Sequence, residues 1–239
     1  MDTEKTVFED FAQFFESPSR KSLRKLLRTH MGETDQLDFK AGWPSLVKVS
    51  KHVIAIGNSG GGAIVLGVKE DDGNLTPQGL SNIKDKADIG NTLSNYIPAE
   101  LEYDVLEFSF DESEYAKIEG LDFQVILIDS DPLEVPYLSE GSSEEINENR
   151  IYVRRDTSTV EANRQDLKTI VKTRVNAELN SEARKLEDEL SQLQTLYNYR
   201  ASSNPLLRGN IFGGTGFKSF VEEVIKKKQS MIRKELGLS

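Results

Sequence analysis

Residues 33–73 decide the fold of this chain, with the sequence ETDQLDFKAGWPSLVKVSKHVIAIGNSGGGAIVLGVKEDDG. The stretch opens with an alternating pattern, in which Leu37 and Phe39 fall on one face of a predicted strand. Asp38 and Lys40 therefore share the opposite face of that strand. The whole stretch predicts a strand, a loop, a helix, a glycine turn, a second strand and an acidic turn.

The helix and the second strand follow from spacing and from the glycines. Residues 46–56 place apolar side chains at the intervals of an amphipathic helix, which Gly57 and Asn58 can end because both tolerate a left-handed backbone. Residues 60–62 are all glycine and lead into residues 63–68, an apolar run short enough for a buried strand. A phosphate-binding P-loop requires a Lys followed by Ser or Thr, which this glycine turn lacks, so ATP binding is disfavoured.

Composition limits the classes of function. The 239 residues include 40 acidic and 30 basic side chains, a net charge of −10, and no cysteine. Thiolate zinc sites, disulfides and cysteine nucleophiles are therefore excluded. An acidic protein can contact a polyanion only through local basic patches or bound metal ions. The two histidines, His30 and His52, are far apart in the sequence, and we interpret His52 as structural or solvated.

The sequence contains no segment that predicts membrane insertion or secretion. No apolar run approaches the roughly 20 residues that span a bilayer, and no signal peptide opens the chain. We therefore expect a cytoplasmic protein with no membrane association.

Two blocks of sequence carry a resemblance to a known family. The first is E-x4-D-F-K at residues 33–40 followed by A-I-x-N-S-x-G-G-x-I-V-L-G-V at residues 55–68 and an acidic turn. The second is YVRRDTSTVEAN at residues 152–163. Together they resemble the Schlafen AlbA-type domain, over about residues 22–167.

The resemblance and the local patterns imply an α+β fold, a mixed sheet flanked by helices with a helical C-terminal extension. We expect an N-terminal aromatic helix or arm in residues 1–18, the AlbA-like domain in residues 19–172 and the extension in residues 173–239. The polar stretch 139–149 is predicted to be a loop with few apolar anchors. The expected strands lie near residues 36–40, 63–69, 101–110, 121–129 and 150–154.

The candidate catalytic residues are Glu33, Asp38, Lys40 and the acidic turn with Asp71 and Asp72. Carboxylates that converge from neighbouring strands suit Mg²⁺ or Mn²⁺, which prefer oxygen ligands. A bend before the first strand must bring Glu33 round to the face of Asp38. Some members of the family are endoribonucleases that use three acids, and the resemblance implies the metal ligands Glu33, Asp38 and Asp71. An additional residue in the turn leaves the third acid open between Asp71 and Asp72.

Two basic groups are candidates for nucleic-acid binding. A predicted helix at residues 19–30 carries five cations, which form either a solvated face or a contact with phosphates. Arg154 and Arg155 can grip a phosphate or pair with nearby acids, and the resemblance favours the phosphate. The helical cations are Arg20, Lys21, Arg24, Lys25 and Arg28.

Two apolar segments predict self-association. Phe8, Phe11, Phe14 and Phe15 form an aromatic stripe at helical spacing, which packs either on the domain or on a second copy. Residues 179–197 repeat apolar side chains with the heptad pattern of a short coiled coil, which either folds back or pairs with another copy. We expect a homo-oligomer, and the C-terminal helices are also a candidate surface for a protein partner.

Two functions from different classes remain. The first is a divalent-metal-dependent endonuclease, with RNA favoured over DNA by the family resemblance, in the form of tRNA-like or single-stranded substrates. The alternative is a non-catalytic module that binds DNA or RNA as a regulator or as a subunit of a defence complex. The E-x4-D-x-K spacing favours the enzyme.

Overall fold

The computed structural model describes residues 11–28, 34–71, 74–111, 116–155, 157–203 and 214–235. The predicted site residues Glu33 and Asp72, the aromatic Phe8 and the histidine His30 lie outside these ranges, as does the side chain of Asp71. The chain divides into two compact units, residues 1–176 and residues 177–239.

A four-stranded mixed sheet forms the centre of the first unit. Strand β1 (Leu37–Lys40) runs parallel to β2 (Gly62–Leu66), which pairs antiparallel with β6 (Leu121–Ile128). The edge strand β5 (Tyr103–Phe110) pairs antiparallel with β6, so the order is β1-β2-β6-β5. The predicted α+β fold with a mixed sheet is confirmed.

Helices and a hairpin cover both faces of this sheet. One face carries α3 (Leu46–Asn58), α4 (Lys86–Leu93) and strand β7 (Tyr152–Arg155), which share a core with the sheet. The other face carries the helical residues 11–16, labelled α1, and α2 (Arg20–Arg28). Helix α3 forms where expected, and the side chain of Ser45 caps it by accepting a hydrogen bond from the Lys48 amide.

The alternating pattern of β1 decides which side chains enter which core. Leu37 and Phe39 lie in the core shared with α2, together with Val65 of β2. Asp38 and Lys40 therefore face α3 and the β7 hairpin. A carboxylate is thus placed among the apolar residues of the α3 side, where it requires a charged partner.

The second predicted strand, 63–69, is two strands in the structure. Strand β2 ends at Leu66, and β3 (Val68–Asp71) continues from Gly67 into a separate hairpin with β4 (Asn74–Pro77). Gly67 has φ 102°, and a Cβ atom there would lie 2.9 Å from the Phe123 ring. The break occurs because only glycine tolerates both the backbone angle and the close approach.

The region after β7 differs from the prediction in one respect. The Ser and Thr residues at 157–159 are typical of a helix N-cap and predict a helix from about Val160, but residues 158–161 form strand β8, which pairs with β7. Helix α5 (Arg164–Ser203) begins three residues after β8, where the Asn163 side chain accepts hydrogen bonds from the amides of Gln165 and Asp166. Asparagine is a strong N-cap, and its signal outweighs that of the preceding Thr and Ser residues.

The polar loop at residues 139–149 has anchors that the sequence reading missed. Ile146 is fully buried in the core on the α3 side. The Ser139 hydroxyl accepts a hydrogen bond from the Arg150 amide at 3.0 Å, and the Asn147 amide donates to the Tyr152 hydroxyl at 3.0 Å. The expectation of few anchors was wrong because one buried isoleucine and a set of backbone contacts fasten the loop.

The second unit contains the C-terminal part of α5 and helix α6 (Gly214–Glu235). Tyr197 packs against the rings of Phe217 and Phe220, with centroid distances of 5.5 and 5.4 Å. Leu179 and Leu186 of the heptad pattern are about 60% exposed. None of the helices in the described ranges is long and apolar enough to cross a membrane.

Candidate nucleic-acid interface

Asp38 is the buried charge at the centre of the site. Its side chain is 0% exposed, and its carboxylate lies 2.9 Å from the Lys40 ammonium and 2.9 Å from the Arg154 guanidinium. Lys40 is close because residues two apart on a strand share a face. Arg154 comes from β7, which packs across α3. Two cations therefore compensate one carboxylate that water does not reach.

Arg154 also joins the β7–β8 hairpin to its neighbours. Its side chain is only 1% exposed, and its backbone amide donates to the Ser59 hydroxyl at 3.0 Å. Its Nη1 lies 3.4 Å from Oγ1 of Thr159 on the paired strand. Separating a buried ion pair leaves each charge buried without its partner, which is costly. The pair therefore holds the hairpin against β1.

His52 extends the same network. Its Nδ1 lies 2.7 Å from the Thr159 hydroxyl. Burial lowers the pKa of His52 to about 4. The Asp38 carboxylate raises this pKa, whereas the charges of Lys40 and Arg154 lower it further. The imidazole is therefore neutral at neutral pH. Its Nε2 is buried and has no hydrogen-bond partner among the described residues.

A pocket of about 520 Å³ opens beside this network. Three lysines and three hydroxyl side chains line it, with two glutamates from the 139–149 loop. Lysine ammonium groups and hydroxyls both donate hydrogen bonds to phosphate oxygens. The lining residues are Lys40, Lys48, Lys51, His52, Glu144, Glu145, Thr157, Ser158 and Thr159.

Sequence reasoning missed the α3 part of this pocket. Lys48, Lys51 and His52 are three and four residues apart, so they share one face of α3. The spacing is visible in the sequence, but the apolar positions of the same helix dominate its pattern. The Ser45 hydroxyl at the start of the helix also donates to the Glu145 carboxylate, which brings the loop to the rim of the pocket.

The structure unites only part of the predicted catalytic set. Asp38 and Lys40 are in contact. Glu33 and Asp72 lie outside the described residues, and Asp71 is the last residue of β3, with only its backbone described. Among the residues that the structure does describe, no group of three or more His, Asp or Glu side chains is placed to hold a metal ion. Asp38, with both cations in place, does not fit a metal site by itself. The roles of these acids stay predictions.

The predicted phosphate-binding arginines have different environments. Arg154 is buried against Asp38, whereas Arg155 is about half exposed and pairs with Asp166 at 2.6 Å. Alternation along β7 causes the difference, since adjacent residues face opposite sides. Their role in phosphate binding is not tested by this geometry and stays a prediction.

The basic residues of α2 lie away from the pocket. The buried leucines of α2 pack on the sheet face opposite to α3. The Arg20 guanidinium lies over the Phe110 ring at 5.3 Å from its centroid. The two predicted nucleic-acid-binding groups therefore do not form one continuous surface, and the role of α2 also stays a prediction.

The fold and this site define a mixed-sheet α+β domain with a lysine- and hydroxyl-lined pocket beside a buried Asp–Arg–Lys cluster. Comparison with protein families agrees: the Schlafen, AlbA_2 family model matches residues 33–163, more than half of the chain. The chain belongs to the Schlafen AlbA_2 family, which confirms the resemblance seen in its sequence.

Among solved structures, the chain is similar to the N-terminal domain of a RecG-related protein from Nitrosomonas europaea, determined in solution. The identity is 19% and the TM-score is 0.35, over 61% of this chain and 96% of that domain. A search of curated proteins gave no significant match.

Proposed function

We propose that this protein binds nucleic acid and that the pocket beside α3 holds a backbone phosphate. The observation that carries the proposal is the convergence of Lys40, Lys48 and Lys51 on one pocket in a chain of net charge −10. Membership of the Schlafen AlbA_2 family indicates a nucleic-acid-binding domain and supports this assignment.

The chemistry of the lining suits a phosphodiester. Lysine neutralises phosphate as a point charge, and each contact releases condensed counterions from the nucleic acid. The hydroxyls of Thr157 and Ser158 add neutral donors from the β7–β8 hairpin. Glu145 is bonded to Ser45 at the positive end of α3, a position that also attracts anions. A phosphate therefore competes with Glu145 for this end of the pocket.

The test is equilibrium binding of labelled RNA, single-stranded DNA and duplex DNA across a range of salt concentrations. Lys48→Ala with Lys51→Ala should weaken binding and reduce the slope of log K against log [salt] by about 1.5 to 2. The matched control is Lys86→Ala with Lys117→Ala, two exposed lysines outside the pocket. Equal effects of the two pairs would show that the pocket is not the binding site.

Removing negative charge from the pocket rim should have the opposite effect on binding from removing its lysines. Glu144→Gln with Glu145→Gln removes two negative charges from the rim and should strengthen binding at low salt. No detectable binding of any nucleic acid by the folded protein would overturn the proposal.

We also propose RNA as the favoured ligand, as the family resemblance implies. The RNA and DNA arms of the same titration decide this point. Tighter binding of DNA than of RNA with matched sequence would reject the RNA preference and leave the pocket assignment standing.

The second candidate function is a divalent-metal-dependent endonuclease. The contact of Lys40 with Asp38 at 2.9 Å favours it, because Lys40 also lines the pocket and would stand beside a bound phosphate. Glu33, Asp38 and either Asp71 or Asp72 would hold Mg²⁺ or Mn²⁺, which supplies charge neutralisation and an activated water. In the described structure Asp38 is held by two cations, so the binding role is the better supported of the two.

Cleavage assays with Mg²⁺, Mn²⁺ or EDTA separate the two functions. If the protein is a nuclease, Glu33→Gln and Asp38→Asn should each abolish metal-dependent cleavage while binding persists. Thermal unfolding of Asp38→Asn is the necessary control, because its side chain is buried in the ion-pair cluster. Binding without cleavage of any substrate under all metal conditions would reject the nuclease and retain the binding module.

We propose, finally, that the protein self-associates through its C-terminal helices, which are also a candidate surface for a different protein partner. The exposed leucines of α5 support this proposal. A large apolar stripe on a helix is unusual on the surface of a monomer.

A further inference from the structure

Trp43 is the only tryptophan of the chain, and it is partly exposed on the connection between β1 and α3. This connection is short: its first end lies in the pocket, and its other end contacts a residue that lines the pocket. Lys40 lines the pocket, and Ser45 bonds the pocket residue Glu145. At about 3.6 Å per residue, the Trp43 backbone lies within roughly 11 Å of Lys40 and 7 Å of Ser45.

The indole ring is held in a fixed orientation. Its Nε1 donates to Oε1 of Gln124 at 2.8 Å. Gln124 is fully buried in β6, and its side chain exchanges two hydrogen bonds with the backbone of Lys84. The polar edge of the ring is therefore fastened to the sheet. Trp43 packs against the core on the α3 side and is only partly exposed. Because the only donor of the ring is already satisfied, its exposed part can contact a ligand by stacking but not by hydrogen bonding.

A further cation accompanies the ring. The Lys84 ammonium lies 5.9 Å from the centroid of the Trp43 ring. A positively charged groove with an aromatic platform is the usual combination in proteins that bind single strands, because every base has a face that can stack. The pocket lysines and Lys84, with the Trp43 ring on the connection that follows Lys40, supply the cations and the aromatic face of this combination.

We propose that Trp43 stacks on an unpaired base next to the phosphate in the pocket, which makes single-stranded nucleic acid the substrate class. This inference rests on the proposed function. A ring fastened to the sheet cannot enter a duplex, whose bases already stack on each other. Duplex DNA and RNA would contact the lysines without Trp43.

The test compares a short oligothymidylate with an abasic oligonucleotide of the same length, which carries the same phosphates without bases. Tryptophan fluorescence should be quenched by the oligothymidylate and much less by the abasic strand. Trp43→Leu should weaken binding of the oligothymidylate about 5- to 100-fold and leave binding of the abasic strand unchanged. Trp43→Phe, which keeps an aromatic face, should retain part of the affinity.

The matched control is Tyr103→Leu. Tyr103 is a partly buried aromatic residue at a pocket with the acidic residues Glu102, Asp104 and Asp129. Its replacement should change neither titration.

Two results would overturn the inference. Equal losses for both oligonucleotides in Trp43→Leu would show a structural role only, with the nucleic-acid site intact. No binding of either strand to the unmodified protein would overturn the proposed function and this inference together.

Discussion

At the scale of single residues, the adjacent arginines of β7 contribute differently to stability. Arg154 is paired with Asp38 out of contact with water, whereas Arg155 meets Asp166 at the surface. Arg154→Ala should lower the free energy of unfolding by up to about 3 kcal/mol, because the buried Asp38 charge then keeps only Lys40 as its partner. Arg155→Ala should cost less than about 1 kcal/mol. Urea unfolding measures both values.

Arg155→Ala is the internal control of this comparison, since the two residues share a strand and a side-chain type. Similar losses for both variants would contradict the burial of the Arg154 pair. A double change of Asp38 and Arg154 to apolar residues should cost less than the two single changes added together, because neither charge is then left alone.

His52 makes the folded protein less stable as the pH falls. Its folded pKa of about 4 lies below the ordinary 6.5, so the unfolded chain takes up a proton first. The contribution is fully present above pH 6.5 and is lost as the pH falls toward 4. By linkage the loss at pH 5 is about 2 kcal/mol. The charges that face the ring are Asp38, Lys40, Arg154 and Lys48.

The measurement is the unfolding free energy at pH 7 and pH 5 for the unmodified protein and for His52→Gln. The unmodified protein should lose about 2 kcal/mol more than the variant over this interval. Protonation of carboxylates is common to both proteins and cancels in the difference. Parallel pH profiles would contradict a buried neutral imidazole.

At the scale of elements, Gly62 decides how closely β2 approaches β1. Its φ is 155°, and a Cβ atom there would lie 2.0 Å from the Gln36 carbonyl oxygen, which accepts the hydrogen bond of the Ala63 amide. Gly62→Ala should therefore cost at least about 3 kcal/mol of unfolding free energy, because the backbone of the neighbouring strand must move.

Gly90 is the matched position for this substitution. It lies within α4, and no atom is within 4 Å of the Cβ that alanine would add. Gly90→Ala should raise the unfolding free energy by roughly 0.5–1 kcal/mol, because alanine restricts the unfolded chain. Thermal melts of both variants give the comparison. Tolerance of alanine at position 62 would refute the close approach of the two strands.

At the scale of the whole molecule, the exposed stripe of α5 predicts self-association. Leu186 and Leu190 are 60% and 49% exposed. Leu186→Gln with Leu190→Gln should reduce the mass in light scattering to that of a monomer at micromolar concentration, with little change in unfolding free energy. Glu187→Gln with Ser191→Gln changes neighbouring exposed positions of the same helix and should leave the mass unchanged. A monomeric unmodified protein would contradict the prediction.

The parts of this protein that could be predicted from sequence depend on short-range patterns. Asp38 and Lys40 were placed on one face because their spacing equals the period of a strand, and their ion pair follows from it. Helix α3 was predicted from its apolar spacing. The predicted stop at Gly57 and Asn58 was wrong, because both residues are helical and the left-handed backbone comes only at Gly60. Strand β8 was missed, because the Thr and Ser residues of the hairpin also carry the signal of a helix cap.

The sequence by itself determined the mixed-sheet domain, the alternation of β1 and the family, because these depend on local periodicity and on two ordered motifs. Only the tertiary structure decided which charges meet. Thr159 lies 107 positions from His52 in the chain, and Trp43 lies 81 positions from Gln124. Contacts at such separations depend on how the β7–β8 hairpin and β6 dock against α3 and β1. No pattern within a single segment encodes that docking, so the pocket beside α3 became visible only in the folded chain.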